Sequence, residues 1–327
     1  MLIVADARRS TDLPHGCVAT VGNFDGLHRG QRAIVDRVVE RARELGVPSA
    51  LLTFEPHPLE VLAPERAPLR IATSRQRERL LEAAGLDVLL TLHFDAELAA
   101  LSAEEFVRQL LVGALRIREI HVGSQFAFGR GRTGNLELLQ KMGAELGFQA
   151  FGVAERMADG EPVSSSRIRR AVQEGRVELA AELLGRPFSV TGTVVRGDRM
   201  GKRLGWPTIN VQPDGELEPL EGVYATRAFF PSFPASFDSV TNIGTRPTVY
   251  ENYQRVIESH ILGFGSDVYG EPVELFFFKR LRDEMLFPSV MALSAQIRRD
   301  VEATREYFAL LRRSEGSAGT PPAWERE

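Results

Sequence analysis

Cysteine is almost absent: the chain holds one, Cys17. An intramolecular disulfide is therefore excluded, which fits a reducing compartment. Cys17 lies inside an apolar run, where a small buried hydrophobe is the ordinary reading. Excess positive charge is missing too, since 40 Lys and Arg stand against 44 Asp and Glu for a formal charge of -4. The broad basic face of a nucleic-acid binder is thereby excluded, and small anionic ligands need local basic sites. No run approaches the ~18 apolar residues of a membrane span, and the apolar part of MLIVADARRS is too short for a secretory signal. Internal repeats and low-complexity tracts are not evident either. The expectation is a cytoplasmic protein with small-molecule partners, no nucleic acid or membrane partner, and a monomeric or weakly homo-oligomeric state.

What is present is enough apolar material for two cores: 327 residues, 43% of them hydrophobic. In the first half, Val18–Val21, Ala50–Phe54, Val88–Leu92, Glu119–Gly123 and Phe148–Val153 are short apolar or β-branched runs bounded by Gly, Pro or charge. Helical patterns fit between them. Ile34, Val35, Val38, Val39, Ala42 and Leu45 share one helix face, and Thr73 with Gln76 and Ser102 with Glu105 have capping-box spacing. That alternation predicts an α/β domain, a parallel sheet covered by helices. A helical stretch ending at Gly185-Arg186-Pro187, a C-cap glycine before a breaker, sets the expected boundary, giving a first domain over 1–186. From Phe188 to Lys279 the pattern becomes short β runs such as FSVTGTVV, GVYATRAFF and VELFFFK, which predict an antiparallel barrel or sandwich. A helix follows, with Ser289 as N-cap and Val290, Leu293, Ile297, Val301, Phe308 and Leu311 at helical spacing. The second domain is thus expected over 187–313, with a disordered tail at 314–327.

Chemistry concentrates in a few segments. In GNFDGLHRGQ, Gly22 to Gln31, a histidine sits where a strand turns into a helix. A helix starting directly after a sheet strand aims free N–H groups and a positive dipole end at the crevice, a ready anion site. Gly22, Gly26 and Gly30 allow close approach, and His28 can donate to a phosphate; a histidine that merely caps the helix is the competing reading. TFEPHP (Thr53–Pro58) and GSQFAFGRGRTG (Gly123–Gly134) begin at or near strand C-termini, the ligand-binding edge of a parallel sheet. SSSRIR (Ser164–Arg169) opens another helix with hydroxyls and an arginine suited to phosphate oxygens, or with an ordinary cap and solvated arginines.

Gly129, Gly131 and Gly134 also spell G-x-G-x-x-G, and Glu155 lies further on, as in a dinucleotide-binding dehydrogenase. Two details oppose it. The first glycine should end its strand, whereas Gly129 stands well past Gly123, and Arg130 and Arg132 fill a turn that should be compact.

In the second half, GDRMGKRLGWPTIN offers Gly197, Gly201, Lys202 and Gly205 as a phosphate-wrapping loop. It is not a Walker loop, because the glycine spacing is short and Arg203 stands where Ser or Thr should follow the lysine. Thr208 and Asn210 present a hydroxyl and an amide oxygen, hard ligands for Mg²⁺; the alternative is a plain Gly/Pro-rich hairpin. Glu258, on an alternating strand, is placed to accept a proton from an attacking hydroxyl, or is a solvated strand residue. His260, on the same strand face, reads as structural.

In this order and spacing, GNFDGLHRGQ, TFEPHP, FAFGRGRTG and SSSRIR resemble the nucleotidyltransferase half of the bacterial bifunctional riboflavin kinase/FMN adenylyltransferase family. PTIN, NIGTRPT, IESHILGF and DVYG resemble its riboflavin kinase half. The resemblance implies a Rossmann-like adenylyltransferase domain followed by a six-stranded antiparallel barrel with a C-terminal helix. It implies Mg²⁺, ATP as substrate, and riboflavin, FMN and FAD as substrates and products. By matching positions, Glu258, His28 and Gln31 are catalytic, and Thr208 and Asn210 hold the metal. Gly22, Phe24, Asp25, Gly30, Ser164, Ser165, Ser166, Arg169, Gly197, Gly201 and Lys202 meet nucleotide; His57, Gln125, Phe126, Phe128 and Arg132 meet flavin.

Four positions depart from the family pattern. Gln31 replaces the second histidine of G-x-F-D-G-x-H-x-G-H, Gln125 stands where Asp or Asn is usual, Ile209 replaces the alanine of P-T-A-N while keeping both polar residues, and Gly263 replaces an Asp before Phe264. Gln31 keeps an N–H donor and loses any positive charge. A weakened donor in such a site costs a few kcal/mol, roughly a hundredfold in rate. A riboflavin kinase whose first domain is impaired by Gln31 is therefore the alternative, and a flavin-binding regulatory or storage module is the non-enzymatic one.

Overall fold

The computed structural model describes residues 1–8, 10, 13–197, 201, 205–215, 217–247 and 253–314. Lys202 and residues 315–327 of the expected tail lie outside them. The chain divides into two compact units, Met1–Ser165 and Ser166–Glu327.

Six parallel strands form the sheet of the first unit: β1 (Leu2–Val4), β2 (Val18–Val21), β3 (Ser49–Glu55), β4 (Val88–His93), β5 (Glu119–Gly123) and β6 (Gln149–Val153). Their order is β1-β4-β3-β2-β5-β6. Successive side chains of a strand face opposite ways, and here both faces are apolar. Leu51 and Leu89 pack on one side with Val35 and Val39 of α1 (Arg29–Leu45) and Leu81 of α3 (Ser74–Ala83). Leu52 and Leu90 pack on the other with Phe106, Leu111, Leu139 and Met142. These come from α5 (Ala103–Phe106), its π-helical continuation Val107–Ala114, and α6 (Leu136–Leu146). Two short helices, α2 (Pro58–Leu62) and α4 (Ala96–Ala100), and the hairpin β7 (Met157–Ala158) and β8 (Glu161–Pro162) complete the unit. Thr73/Gln76 and Ser102/Glu105 form the expected capping boxes. The strand order reverses at β2, which has β3 on one side and β5 on the other. In an open α/β sheet the ligand crevice opens at that switch point, beyond the strand C-termini.

The second unit contains a closed antiparallel barrel, ordered β10-β13-β12-β11-β14-β9. Its strands are β9 (Phe188–Val195), β10 (Ile209–Pro213), β11 (Gly222–Phe229), β12 (Phe237–Pro247), β13 (Tyr253–Ile261) and β14 (Pro272–Arg282). Closure leaves no unpaired edge. On β9 the burial alternates strictly, with Phe188, Val190 and Val194 inside. The long helix α9 (Val290–Ser314) starts where Ser289 Oγ accepts from the Ala292 N–H. It buries Phe308 edge-on against Phe278, with Arg227 over the Phe308 ring. Two helices precede the barrel, α7 (Ser165–Gln173) and α8 (Val177–Leu184). The expected boundary at 186 thus differs from the division of the two units. Gly185 does end α8 in the left-handed conformation, but a helix stop there is not the edge of a compact unit, because α8 packs on β14 and β9.

Candidate active sites

At the switch point, Gly22 follows β2 and its N–H donates to the Leu52 carbonyl. His28 is the N-cap of α1. Its Nδ1 accepts from the Gln31 N–H at 3.3 Å, and the Gln31 Oε1 accepts from the His28 N–H at 3.2 Å. Capping and ligand binding are therefore not alternatives: an acceptor role for Nδ1 places the neutral ring's proton on Nε2, which becomes the donor. The exchange also fixes Gln31, whose amide oxygen is spent on the cap and whose NH₂ is the remaining polar group. Gly30 lies against the His28 ring, where a Cβ would stand 3.2 Å away.

The rest of the motif builds the loop. Phe24 is buried in the core beside Leu27 and Val35. Asp25 accepts from the N–H groups of Ile71 and Ala72, and its carbonyl accepts from Ser165 Oγ at 3.1 Å. Of the expected nucleotide residues, Gly22, Gly30 and Ser165 thus gather near the start of α1, while Phe24 and Asp25 shape the turn. Ser164 directly precedes α7. Ser166 and Arg169 lie on α7 in the second unit, Arg169 one turn beyond Ser165.

TFEPHP follows β3 into α2, which His57 caps with Nδ1 toward the Leu59 N–H. His57 Nε2 lies 2.8 Å from the Asn23 side-chain amide. Beyond β5, Phe126 and Phe128 stack at 5.4 Å, and Phe128 also meets Phe106. Gln125 and Arg132 are exposed. The G-x-G-x-x-G run is a small closed turn bridged between Phe128 and Gly134. A Cβ on Gly134 would fall 2.6 Å from the Phe128 ring and 2.7 Å from the Ala103 Cβ. These glycines serve packing, away from any strand-to-helix junction, and α6 starts only after its own cap, Asn135.

In the barrel, the register sets Asn210 of β10 opposite Glu258 of β13, and Glu258 opposite Asn242 of β12. Directly opposed antiparallel residues point to the same face, so the three side chains form one polar row. Two glycines lie close by, Gly197 against Asn210 and Gly201 against the turn at Trp206 and Thr208. A Cβ on Gly197 would lie 2.3 Å from Asn210 Nδ2, and one on Gly201 would lie 2.3 Å from the Trp206 carbonyl oxygen and 3.1 Å from Thr208 Oγ1. His260 Nδ1 donates to the Pro207 carbonyl at 2.7 Å and meets the Trp206 ring edge-on, which anchors the turn carrying Thr208. A cavity of about 360 Å³ opens beside it, lined by Val194, Thr208, Ile209, Ser259, Asp267 and Tyr269 among others. Phe264 is packed by Phe230, Phe233 and Phe237. At Gly263, with φ of 70°, an added Cβ would meet nothing within 4 Å, so the missing side chain leaves that packing untouched.

Comparison with known proteins matches both halves. The family model described as FAD synthetase covers residues 10–167, and the one described as riboflavin kinase covers 184–308. The bifunctional riboflavin kinase/FMN adenylyltransferase of Escherichia coli K12 is 40% identical over 90% of this chain and 94% of its own length. That of Pseudomonas fluorescens is 42% identical with the same coverage. This chain belongs to the bifunctional riboflavin kinase/FMN adenylyltransferase family.

A crystal structure titled macrolide-efflux protein, from Streptococcus pneumoniae, is similar as well, with a TM-score of 0.84, 28% identity, and coverage of 93% of this chain and 98% of that one. Among the described residues of the present family member, no helix is long and apolar enough to cross a membrane. Sequence reasoning missed Asn23, Arg70 and Arg77, which share a small cavity with Asp25 and His57. Asn23 lay inside a quoted motif; the two arginines read as part of a solvated helix and loop.

Proposed function

We propose that the second unit transfers the γ-phosphoryl group of ATP to the 5′-hydroxyl of riboflavin, and that the first joins the resulting FMN to the AMP of a second ATP, releasing pyrophosphate. The observation that carries this reading is the Asn210–Glu258 pairing with Gly197 packed against Asn210. An alcohol kinase needs a carboxylate beside a nucleotide site, and Glu258, opposite Asn210 in the register, is the residue assigned that role. Thr208 and Asn210 offer hard oxygen ligands of the kind Mg²⁺ takes together with phosphates and water. Asn210 is buried, and the close glycine backbone leaves a cradle that a Cβ would fill. Among the described residues, no cluster of three His, Cys, Asp or Glu side chains competes for an ion. When bound, Mg²⁺ would offset the negative charge developing on the phosphate oxygens. Glu258 would take the proton of the 5′-hydroxyl as its oxygen attacks the γ-phosphorus. His260, through the Pro207 carbonyl, keeps Thr208 in position.

In the first unit, an oxygen of the FMN phosphate forms the new bond to the α-phosphorus, and the bond to the pyrophosphate oxygen breaks. Negative charge builds on the oxygens in flight, and this chain meets it with the α1 N-terminus, His28 Nε2–H, the Gln31 amide and Ser165. His57, Phe126 and Phe128 meet the flavin. Purified protein incubated with riboflavin, Mg²⁺ and ATP should yield FMN, then FAD and pyrophosphate, separable by chromatography. FMN without FAD would favour a kinase whose first unit is silenced by Gln31; absence of FMN would sink the reading.

A further inference from the structure

Arg77, on α3, is 8% exposed, and its surroundings do not match its charge. Nε has no hydrogen-bond partner. Nη1 reaches Thr53 Oγ1 only at 3.5 Å, and Nη2 stands 3.6 Å from a Glu55 oxygen. That carboxylate is already held by Arg70, at 2.8 and 2.7 Å. Desolvation dominates and draws the Arg77 pKa down; Arg70 adds repulsion, while Glu55 and Asp25 counteract it in part. A guanidinium carries five donors, and buried charges are ordinarily paired and hydrogen-bonded.

Arg77 lines a cavity of about 10 Å³ with Asn23, Asp25, His57, Arg70 and Ala72. That is room for about one oxygen-sized atom. The acceptors nearby are committed: Asp25 to the Ile71 and Ala72 N–H groups, Glu55 and Glu60 to Arg70. Cations and donors dominate what is left. The wall also continues into the site at α1, since Asn23 follows Gly22 and the Asp25 carbonyl holds Ser165.

We propose that this cavity is an anion subsite in which Arg77 takes one phosphate oxygen of a bound substrate. The proposal rests on the adenylyltransferase reading of the first unit. The oxygen belongs either to the flavin 5′-phosphate or to the triphosphate, and the two sources separate experimentally.

The test uses the full chain and two variants, Arg77→Gln and Arg77→Lys. Michaelis constants for FMN and for ATP are measured in FAD formation, and FMN, riboflavin and pyrophosphate are titrated calorimetrically into each protein. The barrel is identical in all three, so a difference between proteins reports the first unit. Losing one charge-assisted hydrogen bond should weaken binding roughly tenfold. If the flavin phosphate is the ligand, Arg77→Gln raises KM for FMN and weakens FMN but not riboflavin, Arg77→Lys recovers part of the loss, and FMN production from riboflavin is unchanged. If the nucleotide is the ligand, KM for ATP and pyrophosphate binding carry the change. A lowered melting temperature with every affinity within twofold would make Arg77 structural and overturn the subsite. Should wild type make no FAD, the adenylyltransferase reading fails, yet the titrations still decide the subsite. Should Arg77→Gln fail to fold, Arg77→Lys decides it by the same titrations: a selective loss of FMN or pyrophosphate binding supports the subsite, and unchanged affinities overturn it.

Discussion

Replacing Gly197 by Ala probes the kinase site through a single methyl group. The backbone there is outside the left-handed region, so the substitution acts by volume alone. The new Cβ would stand 2.3 Å from Asn210 Nδ2, 2.5 Å from its Cγ and 2.7 Å from its Oδ1. Ordinary contact begins near 3.4 Å, so the amide or the loop must retreat by about 1 Å. Asn210 is 7% exposed and sits between β9 and β13, which leaves it little room. Overpacking of this kind costs about 1–3 kcal/mol in stability, whereas a catalytic group misplaced by about 1 Å costs about a hundredfold in rate. The expected result is therefore a small drop in melting temperature and a roughly hundredfold loss of FMN formation from riboflavin. FAD formation from supplied FMN is the internal control and should not change. If the methyl acts through Asn210, Gly197→Ala combined with Asn210→Ala should lose little more than Asn210→Ala alone. Full kinase activity in Gly197→Ala, or strictly additive losses in the double variant, would refute the argument that the glycine exists to place Asn210.

Gln31→His restores a group that can carry charge at the start of α1; FAD formation should rise, by up to roughly a hundredfold, with riboflavin phosphorylation unaltered, as a coupled pyrophosphate assay would show. Phe308→Ala removes a fully buried ring from beneath Arg227 and Phe278 and should destabilise the barrel unit by about 3–5 kcal/mol, read as a lowered transition in scanning calorimetry. The buried pair Glu119 and His121 gives the first unit an acid limit. The Arg41 guanidinium lowers the Glu119 pKa, and desolvation lowers that of His121 from its ordinary 6.5. Both folded-state pKa values lie below the unfolded ones, so the unfolded chain binds protons first and stability falls as pH drops below about 6.5. His121→Gln should flatten the upper part of that fall in melting temperature between neutral and mildly acidic pH; an unchanged slope would remove His121 as its source.

Much of the fold was legible because it is written locally. Glu119–Gly123 reads as a strand from its own residues and is one; the capping boxes at Thr73 and Ser102 likewise need only three residues each. What escaped depends on distant partners. Leu2–Val4 becomes a strand only because β4 pairs with it, and three residues carry no period. Gly185-Arg186-Pro187 signals a helix end correctly, yet only the packing of α8 on the barrel reveals which unit owns the helix. In the site, His28 and Glu258 stood out by motif, and His260 proved the anchor that its strand position suggested. Arg77 was invisible, because SRQRERLLEA reads as a solvated basic helix face and nothing in it says that this arginine turns inward.

The two sites also differ in what they tolerate, and the departures from the family pattern follow that difference. At α1 the anion-binding power comes largely from backbone N–H groups and the helix dipole, which no substitution removes. A side chain there, such as Gln31, adds to a field that already exists, so an amide in place of an imidazole weakens the site by degree. In the barrel the proposed assignment places the load on side chains, those of Thr208 and Asn210 for the metal and that of Glu258 for the proton. Thr208 and Asn210 alternate along one turn and strand, and Glu258 faces Asn210 through the register; each supplies an atom that the backbone cannot replace. Ile209 stands where the family has alanine and leaves both neighbouring polar side chains in the sequence.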